Sequence, residues 1–198
     1  DDKARRSLLR STHNDRYARF SPDGRRIAFV SERTGTGELW VSSADGTATM
    51  RLTSFAKPEL WLWMPRWSPD GKRLVISADL PEAISTYIVD TGGGSLRRLP
   101  IRNSVASGWS ADGRYIYFFP GREVRKQVWK LPLAGGEAVQ VTQGGGAYAI
   151  ESPDGKLVYF TKHWPGESSL WAVPVGGGPE LQIAESVSST DFEVGHGQ

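Results

Sequence analysis

The sequence predicts an all-β chain assembled from four copies of one four-stranded antiparallel unit, and three observations carry that expectation. A turn tetrapeptide returns four times, as SPDG at residues 21–24, 68–71 and 152–155 and as SADG at residues 110–113. Counted from the turn aspartates Asp23, Asp70, Asp112 and Asp154, the copies stand 47, 42 and 42 residues apart. That is about the 40–45-residue period of a four-stranded propeller blade. Between the turns the apolar residues alternate in strand fashion, and no segment sustains a 3.6-residue period.

The elements of each copy follow from the residue types at fixed offsets. The innermost strand ends on Phe20, Trp67 and Trp109, with Glu151 in the fourth copy, where the core contact is expected to pass to Ile150. In the turn, serine and aspartate hydrogen-bond the local backbone, proline presets φ and glycine takes the left-handed position, so a structural role is expected for all four aspartates. The second strand alternates through Ile27, Leu74, Ile116 and Val158, then Phe29, Ile76, Phe118 and Phe160. After a loop of variable length, the third strand carries Trp40, Tyr87, Trp129 and Trp171, large flat side chains suited to packing between sheets. Gly46, Gly93, Gly135 and Gly177 close a second tight turn, and Leu52, Leu99, Val141 and Ile183 sit in the outermost strand.

The repeats so read span about residues 13–54, 64–101, 105–143 and 147–184 of a single propeller domain. Residues 7–11 read as the outer strand of a preceding blade and residues 188–198 as the start of a following one. The two end pieces would not be neighbours in a blade, which favours a segment of a longer propeller of about six to eight blades. A compact four-bladed ring and two chains joined in one ring are the alternatives, and open blade edges would permit self-association.

FSPDGRRIAFVSERTGTGELWVSSADGTATMRLTS, WSPDGKRLVIS and WSADGRYIYFF resemble the aspartate-containing, WD40-like repeat of the TolB propeller family. The resemblance covers essentially the whole chain and implies a bacterial periplasmic protein that binds partner proteins, although a cytoplasmic location is also compatible. Similar repeats occur in sensor propellers of winged-helix transcriptional regulators and in the gating propellers of prolyl-oligopeptidase-like peptidases.

Composition narrows the function further. A formal charge of +2 over 198 residues implies no field that would draw in nucleic acid, and cysteine is absent, which removes disulfide and thiolate-zinc frameworks. No apolar run approaches the roughly 18 residues of a membrane span. Nucleophile-elbow, zinc-helix, P-loop and dinucleotide motifs are lacking, so neither cofactor, metal nor catalytic residue is expected and a protein or peptide partner is.

Tight turns are expected to leave one face little room for chemistry and to consign binding to the irregular loops of the other. There, Phe55, Trp61 and Trp63 in SFAKPELWLWM either form an exposed partner surface or fold back to plug the groove between blades. Arg122, Arg125 and Lys126 offer either an acidic-ligand contact or a solvated basic loop. His163 beside Trp164 in KHWPG is a further candidate partner contact on this face; the histidine is also a candidate metal ligand or base, but one histidine does not make a metal site and a structural role is the expectation. Arg19 and Arg66, alternating with the strand-end aromatics, face the axial channel and either grip a carboxylate or bond neighbouring blades.

Overall fold

The computed structural model describes residues 12–57, 60–123, 125–164 and 167–187, and the end segments 7–11 and 188–198 lie outside the described residues. Four antiparallel sheets follow one another along the chain. Blade 1 comprises β1 (Asp15–Phe20), β2 (Arg26–Ser31), β3 (Glu38–Ser43) and β4 (Thr49–Arg51). Blade 2 comprises β5 (Trp61–Leu62), β6 (Arg66–Trp67), β7 (Arg73–Asp79), β8 (Ile84–Asp90) and β9 (Arg97–Arg102). Blade 3 is built from β10 (Ser104–Trp109), β11 (Tyr115–Pro120), β12 (Trp129–Pro132) and β13 (Val139–Gln140), and blade 4 from β14 (Ala147–Glu151), β15 (Leu157–Trp164), β16 (Glu167–Pro174) and β17 (Leu181–Val187). Each strand pairs with the next, except that β5 and β6 both pair with β7. Pro65, which has no N–H to give a ladder, lies in the break between those two pieces.

The four turns form by the same local chemistry. The serine hydroxyls of Ser21, Ser68, Ser110 and Ser152 each donate to the aspartate two residues on at 2.6 Å. Each carboxylate also accepts the backbone N–H two residues further along, and Gly24, Gly71, Gly113 and Gly155 hold φ between 67° and 70°. Asp45 repeats the pattern with Ser43 in the β3–β4 turn. Donation by the serine first, reinforced by further hydrogen bonds, holds Asp23, Asp70 and Asp154 below their ordinary 3.8 and Asp45 and Asp112 at about 2. A carboxylate with a depressed folded pKa contributes stability that is complete above its unfolded value and lost as pH falls through the folded one. The melting temperature should therefore be level down to about pH 5 and fall between about pH 4 and 2. A profile that stays flat to pH 2, measured by circular dichroism, would contradict this assignment.

The sheets pack face to face through the alternating residues. Val30, Leu39, Leu62, Leu74, Ile76 and Val89 form the core between blades 1 and 2, Val75, Leu99, Trp109, Ile116 and Phe118 that between blades 2 and 3, and Tyr117, Val128, Ala149, Val158 and Phe160 that between blades 3 and 4. Ile183 is 48% exposed, because β17 is the outermost strand of the last described blade.

Successive blades are also clasped by polar contacts at a fixed repeat position. Trp67 donates its indole N–H to the Arg19 carbonyl at 2.9 Å and lies beneath the Arg26 guanidinium, which bonds Gly71 and Thr91 of the same blade as Trp67. Trp109 repeats this one blade on, donating to the Arg66 carbonyl at 3.0 Å beneath Arg73. Blade 4 has Glu151 there, and its carboxylate accepts both the Ala111 N–H at 3.0 Å and the Tyr117 hydroxyl. Glu151 thus replaces the tryptophan as the link between blades, while Ile150 is half-buried rather than central to the core. Phe20 holds the same position in blade 1 and is 61% exposed, in contrast to its expected place in the core.

Candidate functional site

Two regions emerge, one at each end of the innermost strands. On the turn face, the strand ends and the prolines of three turns enclose an axial mouth of about 540 Å³. Arg19, Phe20, Arg66, Trp67, Ser107, Trp109, Ile150 and Glu151 contribute to its wall. The tight turns were expected to leave this face little room. Individually they do not provide it, but their arrangement about the axis does.

The arginines and the aromatics were expected on opposite sides of the strand, yet both sets border this mouth. Alternation itself holds, since Arg19 and Phe20, and Arg66 and Trp67, pair with consecutive residues of the next strand; both sets border the mouth because it lies at the strand ends. The innermost strands of blades 1, 3 and 4 shift register between Arg16 and Arg19, Ala106 and Gly108, and Ala147 and Ile150. These bulges lie just before the last two residues of each strand and bend the strand there. Tyr17 and Tyr148 sit in two of them at φ 58° and 50°, a conformation with a steric cost for residues with a Cβ. Ser107, in the third, was not singled out in the sequence; its hydroxyl is buried without a hydrogen-bond partner among the described residues.

At the opposite end, the lengthened connection after blade 1 divides between the two readings of its sequence. Leu60 and Leu62 are buried, and Phe55 packs edge-on to Tyr87 with centroids 5.4 Å apart. Trp63 packs with Tyr148 against a buried cluster of Ile84, Val105, Phe119 and Ala147. The connection starts from a buried anchor, where the Glu38 carboxylate accepts the Thr53 hydroxyl at 2.5 Å and the Ala56 N–H at 3.0 Å. Gln127 and Thr142 make the corresponding link in blade 3.

Trp61 alone of these aromatics remains open, at 43% exposure. The Arg16 guanidinium lies 4.2 Å over its ring, and Arg16 in turn pairs with Glu32 at 2.9 Å. Tyr17 meets the same indole edge-on at 6.3 Å. The result is an exposed aromatic face backed by a cation and a second ring, and it joins Arg16 and Tyr17 of β1 to the inserted segment.

The basic loop does not act as a unit. Arg122 crosses to blade 2, donating to Asp79 at 2.8 Å and to the Leu80 carbonyl, and Lys126 lies over the Phe119 ring at 5.4 Å, whereas Arg125 is exposed. His163 and Trp164 do not lie in an irregular loop: β15 runs through both, with His163 opposite Ser168 and Trp164 opposite Glu167. The β15–β16 pairing extends through both residues, which a proline- and glycine-containing segment did not suggest.

Nearby, Lys162 pairs with Glu180 at 2.6 Å while lying 3.7 Å from the centroid of Trp171. Burial pushes Glu180 up, but Lys162 and the Gln143 and Gly144 amides outweigh it and hold the carboxyl below its ordinary value. This pair, like Arg122 and Asp79, fastens neighbouring segments of the fold. Among the described residues no three His, Cys, Asp or Glu side chains gather as a metal site.

Residues 56–191 match the family model described as the TolB beta propeller domain. Over 135 residues the sequence is 30% identical to Tricorn protease homolog 1 of Streptomyces coelicolor, a match covering 65% of this chain and 12% of that protein. It is 35% identical over 78 residues to the uncharacterized peptidase YuxL of Bacillus subtilis, covering 37% of this chain and 11% of that one. The chain thus spans only a small part of either relative.

Among solved structures, TolB from Acinetobacter baumannii superposes with a TM-score of 0.76 at 20% identity, over 92% of this chain and 46% of that one. Puromycin hydrolase superposes with a TM-score of 0.70 at 19% identity, over 94% and 31%. At these identities the superpositions attest the fold.

Proposed function

The chain belongs to the TolB β-propeller domain family, and from that premise we propose that it is a non-catalytic scaffold that binds a protein or peptide on its loop face. The observation that carries this reading is the exposed Trp61 ring held between Arg16 and Tyr17. Tryptophan and arginine dominate binding energy where they are presented in fixed orientation, because little side-chain entropy remains to be lost. Here the Glu32 ion pair restrains the arginine and the T-shaped tyrosine contact restrains the indole.

Peptides selected from a displayed library on the 198-residue chain provide the test. Trp61→Ala is expected to weaken the selected peptides by at least about tenfold, the scale of an interface hot spot, with little change in melting temperature. Trp63→Ala should instead lower the melting temperature, since Trp63 packs in a buried cluster. Undiminished affinity in the Trp61 variant would remove the loop face from the reading.

A second reading draws on the peptidase relatives: a propeller domain that admits substrate to a catalytic domain carried elsewhere. It places no chemistry on this chain and differs in its prediction. The loop face would then contact the catalytic domain rather than a separate partner.

A further inference from the structure

We propose that the five Asp–Gly dipeptides of the turns are isoaspartate-forming sites that the fold holds shut, and that the serine two residues before each aspartate does the holding. The inference concerns covalent chemistry in the turns and is independent of the loop-face reading.

The sequence places the reactive pair at Asp23–Gly24, Asp45–Gly46, Asp70–Gly71, Asp112–Gly113 and Asp154–Gly155, and all five aspartates are exposed. When glycine follows aspartate, no Cβ shields its backbone nitrogen, which can attack the aspartate Cγ. The nitrogen loses its proton, a carboxyl oxygen departs as water, and a five-membered imide closes. Water then reopens the ring at one of two carbonyls. Attack at Cγ restores aspartate, whereas attack at the α-carbonyl leaves isoaspartate, with the main chain running through Cβ and longer by one carbon. A hairpin lengthened in this way loses the register that its turn fixes.

Ring closure needs a free nucleophile, a neutral acid and freedom to rotate, and each turn withholds all three. The glycine N–H donates to the serine carbonyl three residues back at 2.8–2.9 Å in every copy. Water leaves readily only from the neutral acid, yet each carboxylate accepts the serine hydroxyl at 2.5–2.6 Å. The N–H two residues on adds a second bond at 3.0–3.2 Å, so the anion is favoured and every one of these carboxyls sits below its ordinary value. The same serine oxygen accepts the N–H five residues on at 2.9–3.0 Å, which ties the two sides of the turn together.

Variation among the copies separates this role from turn-making alone. The second position changes between proline (Pro22, Pro69, Pro153) and alanine (Ala44, Ala111), while serine, aspartate and glycine stand in all five. Glycine is required at φ between 67° and 79°, and aspartate caps the turn. The two residues that the geometry demands are therefore the two that react, and serine is the third member that keeps them apart chemically.

The test is to hold the 198-residue chain at mildly acidic pH, folded and in urea, for equal times, and to quantify isoaspartate at each turn by peptide mapping. Reaction in the folded chain should be at least about tenfold slower at all five sites, because it waits on opening of the turn. Equal rates in the two states would overturn the proposal. In Ser110→Ala, Asp112–Gly113 should react at least about fivefold faster than in the parent chain. The other four turns should stay slow, which also shows that the variant is folded, and Ser110→Thr, which keeps the hydroxyl, should restore the parent rate. Ser43→Ala repeats the comparison at Asp45–Gly46, in the exposed β3–β4 turn where no core group is lost. An unchanged rate at the altered turn in both alanine variants, or acceleration spread equally over all five turns in both, would overturn the serine assignment and leave the loop-face reading untouched.

Discussion

Replacing Trp109 by alanine should lower the stability of the chain by about 3–5 kcal/mol, the range for truncating a buried tryptophan. The side chain is 7% exposed, packs in the core shared by blades 2 and 3, donates to the Arg66 carbonyl and carries the Arg73 guanidinium over its ring. Its loss would open a cavity and leave a carbonyl and a cation without their partner. Phe20→Ala is the control. The same repeat position is 61% exposed in blade 1, and the expected loss there is below about 1 kcal/mol. Urea denaturation of the two variants would measure both losses. Equal losses would mean that the position matters within its own blade and not as a link to the preceding one.

Glu151→Ala should cost about 2–4 kcal/mol, because it leaves the fully buried Tyr117 hydroxyl and the Ala111 amide unsatisfied together. Burial first, and the Glu151 contact second, push the Tyr117 hydroxyl well above its ordinary value, so it remains a donor throughout the stable pH range. The informative variant is the double one. Adding Tyr117→Phe removes the orphaned hydroxyl and should recover about 1–2 kcal/mol of the loss, a positive coupling that denaturation of both single variants and the double variant would resolve. Strict additivity would show that the two groups do not depend on each other.

These two joints also mark what could be read in advance. The turns were legible because every hydrogen bond of Ser21 with Asp23, or Ser68 with Asp70, closes within a few residues, and the recurring spacing extends that local fact to the whole fold. The tryptophans at the strand ends were visible as large buried groups, but their acceptors are carbonyls more than 40 residues away. For the same reason Glu151 could be recognised as a departure from the pattern, not as the acceptor of Tyr117 across a blade boundary.

The candidate sites were legible only in part. Trp61 and Trp63 are two residues apart, yet one is open beside Arg16 and the other packs against Ile84 and Phe119, a division set by tertiary contacts. Tyr17 and Tyr148 gave no signal of a bulge, because tyrosine is an unfavourable residue at positive φ. Ser107 acquires meaning only through the register shift beside it. Arg19 and Arg66 were placed on the axis by alternation alone, but the mouth they border brings together strand ends from four repeats.

The central claim is that the chain binds and does not cleave, with Trp61 at the contact. A peptide selected on the chain, incubated with it and examined by hydrogen exchange and mass spectrometry, tests both halves together. The account predicts that the peptide is recovered intact and that exchange slows around Arg16, Tyr17 and Trp61. Cleavage of the peptide, or protection confined to segments remote from Trp61, would contradict it.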